Sequence, residues 1–190
     1  IKKSYEIENK ADSLVFNFGG SGSLQQQIEN GAPVDIFISA AQKQIDELDK
    51  KNLLVKTSKV NLLKNEVVLI TPISSKLAIK SYKDLVNKNV ITIGIGEPKS
   101  VPAGQYSIEI FNKLGISEKI ISKLVYGKDV RTILSWVETG NVDAGIVYKT
   151  DAISSDKVKV VSTAPKDSHT LVIYPAAIVS DSKLQNESKK

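Results

Sequence analysis

Short apolar runs rich in Val and Ile alternate with polar segments of helical composition along this chain. That alternation constrains the fold more than any other feature. The runs lie at 14–18, 35–39, 66–71, 90–95, 144–148, 158–161 and 171–179. Between them the sequence predicts helices over 24–30, 41–50, 83–86, 103–114, 118–123 and 130–139. Strands that alternate with helices need crossovers, and crossovers lay helices over a largely parallel sheet. The fold class is therefore α/β. Pro72 stops one extended run and Pro175 sits inside another. A proline within a strand argues for a sheet edge or for a bend between lobes. Two such runs, far apart in the chain, suit a chain that leaves one lobe and later returns. A length of 190 residues accommodates two small lobes or one large domain.

Composition narrows the chemistry. Apolar residues make up 41% and charged residues 25%, with no apolar run long enough to span a membrane. Cys is absent, so disulfides and thiolate chemistry are excluded. The net charge is +5, but the lysines are scattered over predicted helix faces (Lys43, Lys50, Lys51, Lys113, Lys119, Lys123). No basic stripe interleaved with aromatics appears, so no nucleic-acid partner is expected. His169 is the one histidine and has no cysteine beside it, so no protein-held metal cation is expected.

The turn Phe18-Gly19-Gly20-Ser21-Gly22-Ser23-Leu24 separates an apolar run from a polar helix that Gly31 is placed to end. A helix that starts after glycines and serines presents free N–H groups and hydroxyls at its positive end, which suits an anion. The turn holds no Lys, Arg, Asp or Glu, so dipoles and hydrogen bonds would do the holding. Taken alone, it can equally be a plain helix cap. Further along, Val101-Pro102-Ala103-Gly104 opens a helix with Pro at its start. Asp129 is a natural N-cap ahead of Val130, with Arg131 as a possible counter-charge or surface ion pair. Tyr148 ends a strand, where its hydroxyl can face a cleft outside the sheet. All of these fall on the ligand-binding side of the predicted sheet. No paired carboxylates or Ser-His pair emerge. Asp167-Ser168-His169 are sequence neighbours, which rarely form a triad, so a binding protein is expected rather than an enzyme.

Several segments together resemble the periplasmic molybdate-binding proteins of ABC importers. They are Gly20 to Leu24, Gln27 to Ala40, Val101 to Gly104, Asp129 to Arg131, Asp143 to Tyr148, Asp167 to His169 and Tyr174 to Val179, in family order. The resemblance implies a two-lobed type II periplasmic-binding-protein-like fold. Each lobe would hold a mixed sheet flanked by helices, with the ligand in the cleft between. Residues 1–72 and 174–190 would form lobe I and residues 73–173 lobe II. It implies a monomer outside the cytoplasm that binds molybdate or tungstate and delivers it to a membrane permease. The anion contacts it implies are the Ser21 hydroxyl and N–H, the Ala103 and Val130 N–H groups and the Tyr148 hydroxyl. The family pattern also has an opening strand, a Ser- or Thr-bearing turn with a further contact, and a closing helix. Those lobe I pieces are not in this sequence, which suggests a longer protein. A donor-only turn suits a fully ionised oxyanion better than phosphate, which carries a proton and wants an acceptor. Sulfate, another oxyanion or a small organic anion on the same architecture remains the alternative.

Overall fold

The computed structural model describes residues 2–10 and 12–189. In chain order its helices are α1 (Lys2–Glu8), α2 (Ser21–Glu29), α3 (Gln42–Lys50), α4 (Pro102–Lys113), α5 (Ser117–Ile120), α6 (Val130–Glu138) and α7 (Lys149–Ala152). Its strands are β1 (Ile36–Ile38), β2 (Val60–Lys64), β3 (Val67–Pro72), β4 (Ile93–Gly96), β5 (Leu124–Gly127), β6 (Ala144–Tyr148), β7 (Val158–Thr163) and β8 (Ile173–Ile178). They form a three-stranded sheet, β1-β8-β2, and a five-stranded sheet, β5-β4-β6-β3-β7.

The expected parallel sheet is found only in part. β4 runs parallel to β5 and β6, whereas β3 is antiparallel to β6 and β7, so the large sheet is mixed. The small sheet is antiparallel throughout its described pairs, not mixed. Connectivity explains this: β2 leads towards the large sheet and β8 comes back from it, so the two must run in opposite directions. β3 was expected to belong with residues 1–72, yet it is hydrogen bonded between β6 and β7 in the large sheet. The chain therefore crosses between the sheets at residues 65 and 66, ahead of Pro72.

Other differences have local causes. Residues 14–18 were expected to form a strand, but among the described residues no strand lies beside them, and their bonds go to side chains instead: the Leu14 N–H to Glu6 and the Asn17 amide to Gln27. Val15 is 92% and Phe18 86% exposed, and the Phe16 and Phe18 rings stack at 5.7 Å. An alternating pattern provides propensity, and only a neighbour makes a strand. β4 starts at Ile93 instead of residue 90 because the Ile91 and Thr92 N–H groups are taken by the Asp143 carboxylate, at 2.7 and 3.0 Å. The helix expected over 83–86 is a 3-10 turn, Tyr82–Val86, with a Ser81/Asp84 capping box. β2 and β5 were not anticipated: β2 is exposed along its length and β5 is only four residues long. Pro175 lies in the central strand of its sheet, not at an edge. It is tolerated there because β2 slips register opposite it, between Asn61 and Leu63.

Helices cover both faces of the large sheet. Leu69, Ile93, Ile95 and Ile146 pack with Tyr106, Ile110 and Phe111 of α4 on one face. Val68, Ile70 and Val147 pack with Ile133, Leu134 and Val137 of α6 on the other. The small sheet is covered by Ile28 of α2 and by Ile45 and Leu48 of α3, which meet Phe37 and Ala177. Each fully buried side chain of this size stabilises the fold by roughly 1.5–3 kcal/mol. The seating of α4 is tighter than side chains would permit. A Cβ on Gly104 would overlap the carbonyl of Gly96, and one on Gly96 would lie 2.5 Å from Val101 Cγ1. Replacing Gly104 with Ala is therefore expected to destabilise the protein by about 1–3 kcal/mol, read from the midpoint of chemical denaturation.

Candidate functional site

β5, β4 and β6 run parallel, with Gly96 opposite Gly127 and Ile93 opposite both Leu124 and Ala144. The segments that follow these strands emerge side by side at their carboxyl edge, where open α/β sheets bind ligands. α4 starts after β4 with Pro102 in its first position, where a helix has no use for an N–H. The fully buried Ala103 follows with a first-turn N–H. α6 starts after β5. Asp129 caps it by accepting the Thr132 N–H and the Thr132 hydroxyl, each at 2.7 Å. The Val130 N–H is then a first-turn donor outside the helical ladder. Tyr148 ends β6 and is only 4% exposed, and its hydroxyl has no hydrogen-bond partner among the described residues. Burial pushes this phenol well above its ordinary range, reinforced by Tyr174, Tyr106 and Asp151 nearby, so the hydroxyl keeps its proton.

The small sheet contributes the start of α2. Ser21 Oγ accepts the Ala40 N–H at 3.0 Å, which leaves the hydroxyl proton free to be donated elsewhere. The Gly22 N–H donates to the Ser100 carbonyl at 2.8 Å. A Cβ on Gly20 would lie 3.0 Å from the Lys128 carbonyl oxygen and 3.1 Å from that of Ser100. The start of α2 is thus pressed against the two segments that open α4 and α6. The Tyr106 hydroxyl adds a bond to the Ala40 carbonyl at 3.3 Å. Ala41, Val101, Ala103, Tyr106 and Tyr148 share one buried cluster, with Val130 packed on it. The structure therefore brings Ser21, Ala103, Val130 and Tyr148 into one neighbourhood.

Arg131 is exposed and lines a surface groove of about 390 Å³ with Lys128, Asp129, Thr132, Ser135 and Trp136. Its charge acts on Asp151, whose carboxyl burial raises and Arg131 partly restores. The other expected residues fall elsewhere. Asp167 adopts a left-handed turn (φ 60°), the Ser168 hydroxyl donates to the Pro165 carbonyl at 2.6 Å, and His169 Nδ1 lies 2.6 Å from the Thr170 carbonyl. These bonds make the segment a turn, with no Ser-His contact among them. Sequence reasoning did not anticipate Gly22, Ala40, Ser100 and Tyr106. Gly22 stood in the turn already singled out, but nothing in the sequence says which backbone it meets.

Residues 1–190 match the family described as bacterial extracellular solute-binding protein. The chain belongs to that family. It is 41% identical over 185 residues to the molybdate-binding protein of Haemophilus influenzae, covering 94% of this chain and 72% of that one. It is 39% identical over 178 residues to the molybdate-binding protein of Escherichia coli, covering 90% and 68%. The periplasmic molybdate-binding protein of Azotobacter vinelandii superposes with a TM-score of 0.87 at 21% identity, covering 99% of this chain and 82% of that one, a likeness in fold. The fold is the type II periplasmic-binding-protein arrangement. Membership places the protein among extracytoplasmic carriers, which are not enzymes.

The contact at Gly22 leads to a prediction about shape. A Cβ there would stand 2.8 Å from both Ser100 Cα and the Ser100 carbonyl oxygen, which are backbone atoms that cannot turn aside. Gly22→Ala is expected to hold the two sheets apart. Small-angle scattering would record a larger radius of gyration, while the denaturation midpoint stays at the wild-type value.

Proposed function

We propose that this protein captures a fully ionised tetrahedral oxyanion, molybdate or tungstate, and delivers it as a monomer to the membrane permease of an ABC importer. What supports the reading is a set of five donors from four residues, with no basic side chain among them. They are the Ser21 hydroxyl and N–H, the Ala103 N–H, the Val130 N–H and the orphaned Tyr148 hydroxyl. The molybdate-binding relatives from Haemophilus influenzae and Escherichia coli support the same reading.

The chemistry favours a dianion without a proton. Donors alone satisfy molybdate and tungstate. Phosphate carries a proton at neutral pH and also needs an acceptor. Asp129 is engaged in capping α6 and is not free to serve. Each charge-assisted hydrogen bond contributes roughly 1.5–3 kcal/mol, and several together offset the desolvation of the ion. In this reading the small sheet with α2 and α3 is one lobe and the large sheet with its helices the other. The two crossing segments act as the hinge, and closure brings Ser21 onto the donors of the second lobe.

Titration calorimetry with molybdate, tungstate, sulfate and phosphate tests the proposal. Heat from the first two alone is expected, and silence from both would overturn it. Ser21→Ala and Tyr148→Phe are each expected to weaken binding by more than tenfold, with folding unchanged. The raised Tyr148 phenol predicts affinity that stays level between about pH 7 and about pH 9, because the donor keeps its proton throughout. A decline across that interval would mean that another titrating group holds the ion.

A further inference from the structure

The chain crosses between the sheets twice, and the two crossings lie side by side. It leaves β2 for β3 through Asn65 and Glu66 and returns into β8 past Val172. The Asn65 N–H donates to the Val172 carbonyl at 3.1 Å. Asn65 Oδ1 accepts the Glu66 N–H at 2.9 Å. The Asn65 amide nitrogen donates to the Tyr174 hydroxyl at 3.0 Å and to Thr150 Oγ1 at 2.9 Å. One side chain thereby ties the outgoing crossing to the returning strand and to the helix that follows Tyr148. Glu66 makes a parallel tie: its carbonyl accepts the Lys149 N–H at 2.9 Å and its carboxylate meets the Lys149 ammonium at 2.6 Å.

These ties converge on Tyr148. The Tyr174 ring stands edge-on to the Tyr148 ring, with centroids 5.7 Å apart and planes at 78°. That is the favoured geometry for two aromatic quadrupoles. Because the Tyr148 hydroxyl makes no bond of its own to the described residues, ring packing alone sets where it points. Burial pushes the Tyr174 phenol up to about 12, so its bond to Asn65 stays a bond between neutral groups.

We propose that Asn65 is a positioning residue for the oxyanion: it holds Tyr174, and Tyr174 fixes the Tyr148 ring so that its free hydroxyl is aimed at the ligand. The proposal rests on the oxyanion-binding reading above. Asn65 also stands on the crossing whose backbone must rotate when the lobes part. The aim of Tyr148 is therefore coupled to closure: opening the hinge disturbs Asn65, and with it the ring that presents the donor.

The test uses Asn65→Ala and Tyr174→Phe, each alone and combined with Tyr148→Phe. Calorimetry with molybdate reads affinity. Carbon NMR of protein labelled at the tyrosine Cζ, recorded without ligand, reads the Tyr148 ring, whose signal is assigned by its loss in Tyr148→Phe. Each single variant is expected to weaken molybdate binding about threefold to tenfold and to move the Tyr148 signal. In the Tyr148→Phe background neither should weaken binding further, because Asn65 and Tyr174 act through that hydroxyl. A merely structural role would lower the denaturation midpoint and carry its full loss of affinity into the Tyr148→Phe background. That result, wild-type affinity in the single variants, or an unmoved Tyr148 signal would each overturn the proposal. If the wild-type protein gives no heat with molybdate or tungstate, the oxyanion reading fails, and the NMR arm still decides whether Asn65 sets Tyr148.

Discussion

The closeness of two backbones, at Gly96 and Gly104, governs where the donors of the large sheet can stand. β4 ends in a glycine, and α4 lays a glycine of its first turn directly against that end. With side chains at both positions the helix would be displaced and the Ala103 N–H carried away from the strand ends. Parallel pairing then extends the same geometry sideways. Gly127 closes β5 opposite Gly96, and the Glu97 N–H donates to the Gly127 carbonyl at 2.8 Å, which sets the start of α6 beside the start of α4. Tyr148 reaches the same edge from β6. Helix N-termini can be placed by something other than their own side chains, and here the sheet and its glycines do this.

The small sheet brings a different kind of contact. Its Gly20-Ser21-Gly22 turn meets the large-sheet segments through backbone, with the Gly22 N–H on the Ser100 carbonyl, and after β1 the Ala40 carbonyl accepts the Tyr106 hydroxyl. Contacts of this type are directional and few, unlike the apolar packing within each sheet's own core. Two units joined by two crossing strands, a few polar contacts and the small apolar contact of Ala40 and Ala41 can separate and meet again without unfolding either core. That is the mechanical requirement for a carrier that must enclose a dianion in a low-dielectric site and later release it. Neutral donors suit such a cycle, because they hold the ion through oriented dipoles and leave no buried charge uncompensated when it departs.

The local chemistry of two helix starts was legible in the residues. Pro102 as a first-turn residue and Asp129 as a cap are local signals, and each sits where the sequence placed it. Gly31, with φ 82°, lies past the end of α2 for the same local reason. What escaped the sequence was pairing. Residues 14–18 carry an apolar pattern but find no strand to pair with among the described residues, while Val60–Lys64, exposed along its length, becomes a strand because β8 lies beside it. Pro175 reads as a residue of a sheet edge or of a bend between lobes; its strand is central, and a register slip in β2 removes the need for its missing N–H. Asn65 bears no local mark at all. Its importance comes from partners far away in the chain, at Thr150 and Tyr174.

The sequence by itself determined the α/β class and the chemistry of the helix starts: glycine, serine, proline and aspartate where N–H groups are to be left free, and no basic residue in the turn; α4 and α6 begin within a residue of the expected positions, whereas α2 begins at Ser21, inside the turn, and not at Leu24. These are properties of a residue and its immediate neighbours, so a linear chain can encode them visibly. The tertiary structure decided which strands pair and in which direction, where the chain crosses between sheets, and that Tyr148 packs edge-on against Tyr174 while its hydroxyl has no partner among the described residues. Those outcomes depend on which surfaces meet once both cores have formed. Apolar packing does not specify its partner locally, and so it leaves no mark on any single stretch of the sequence.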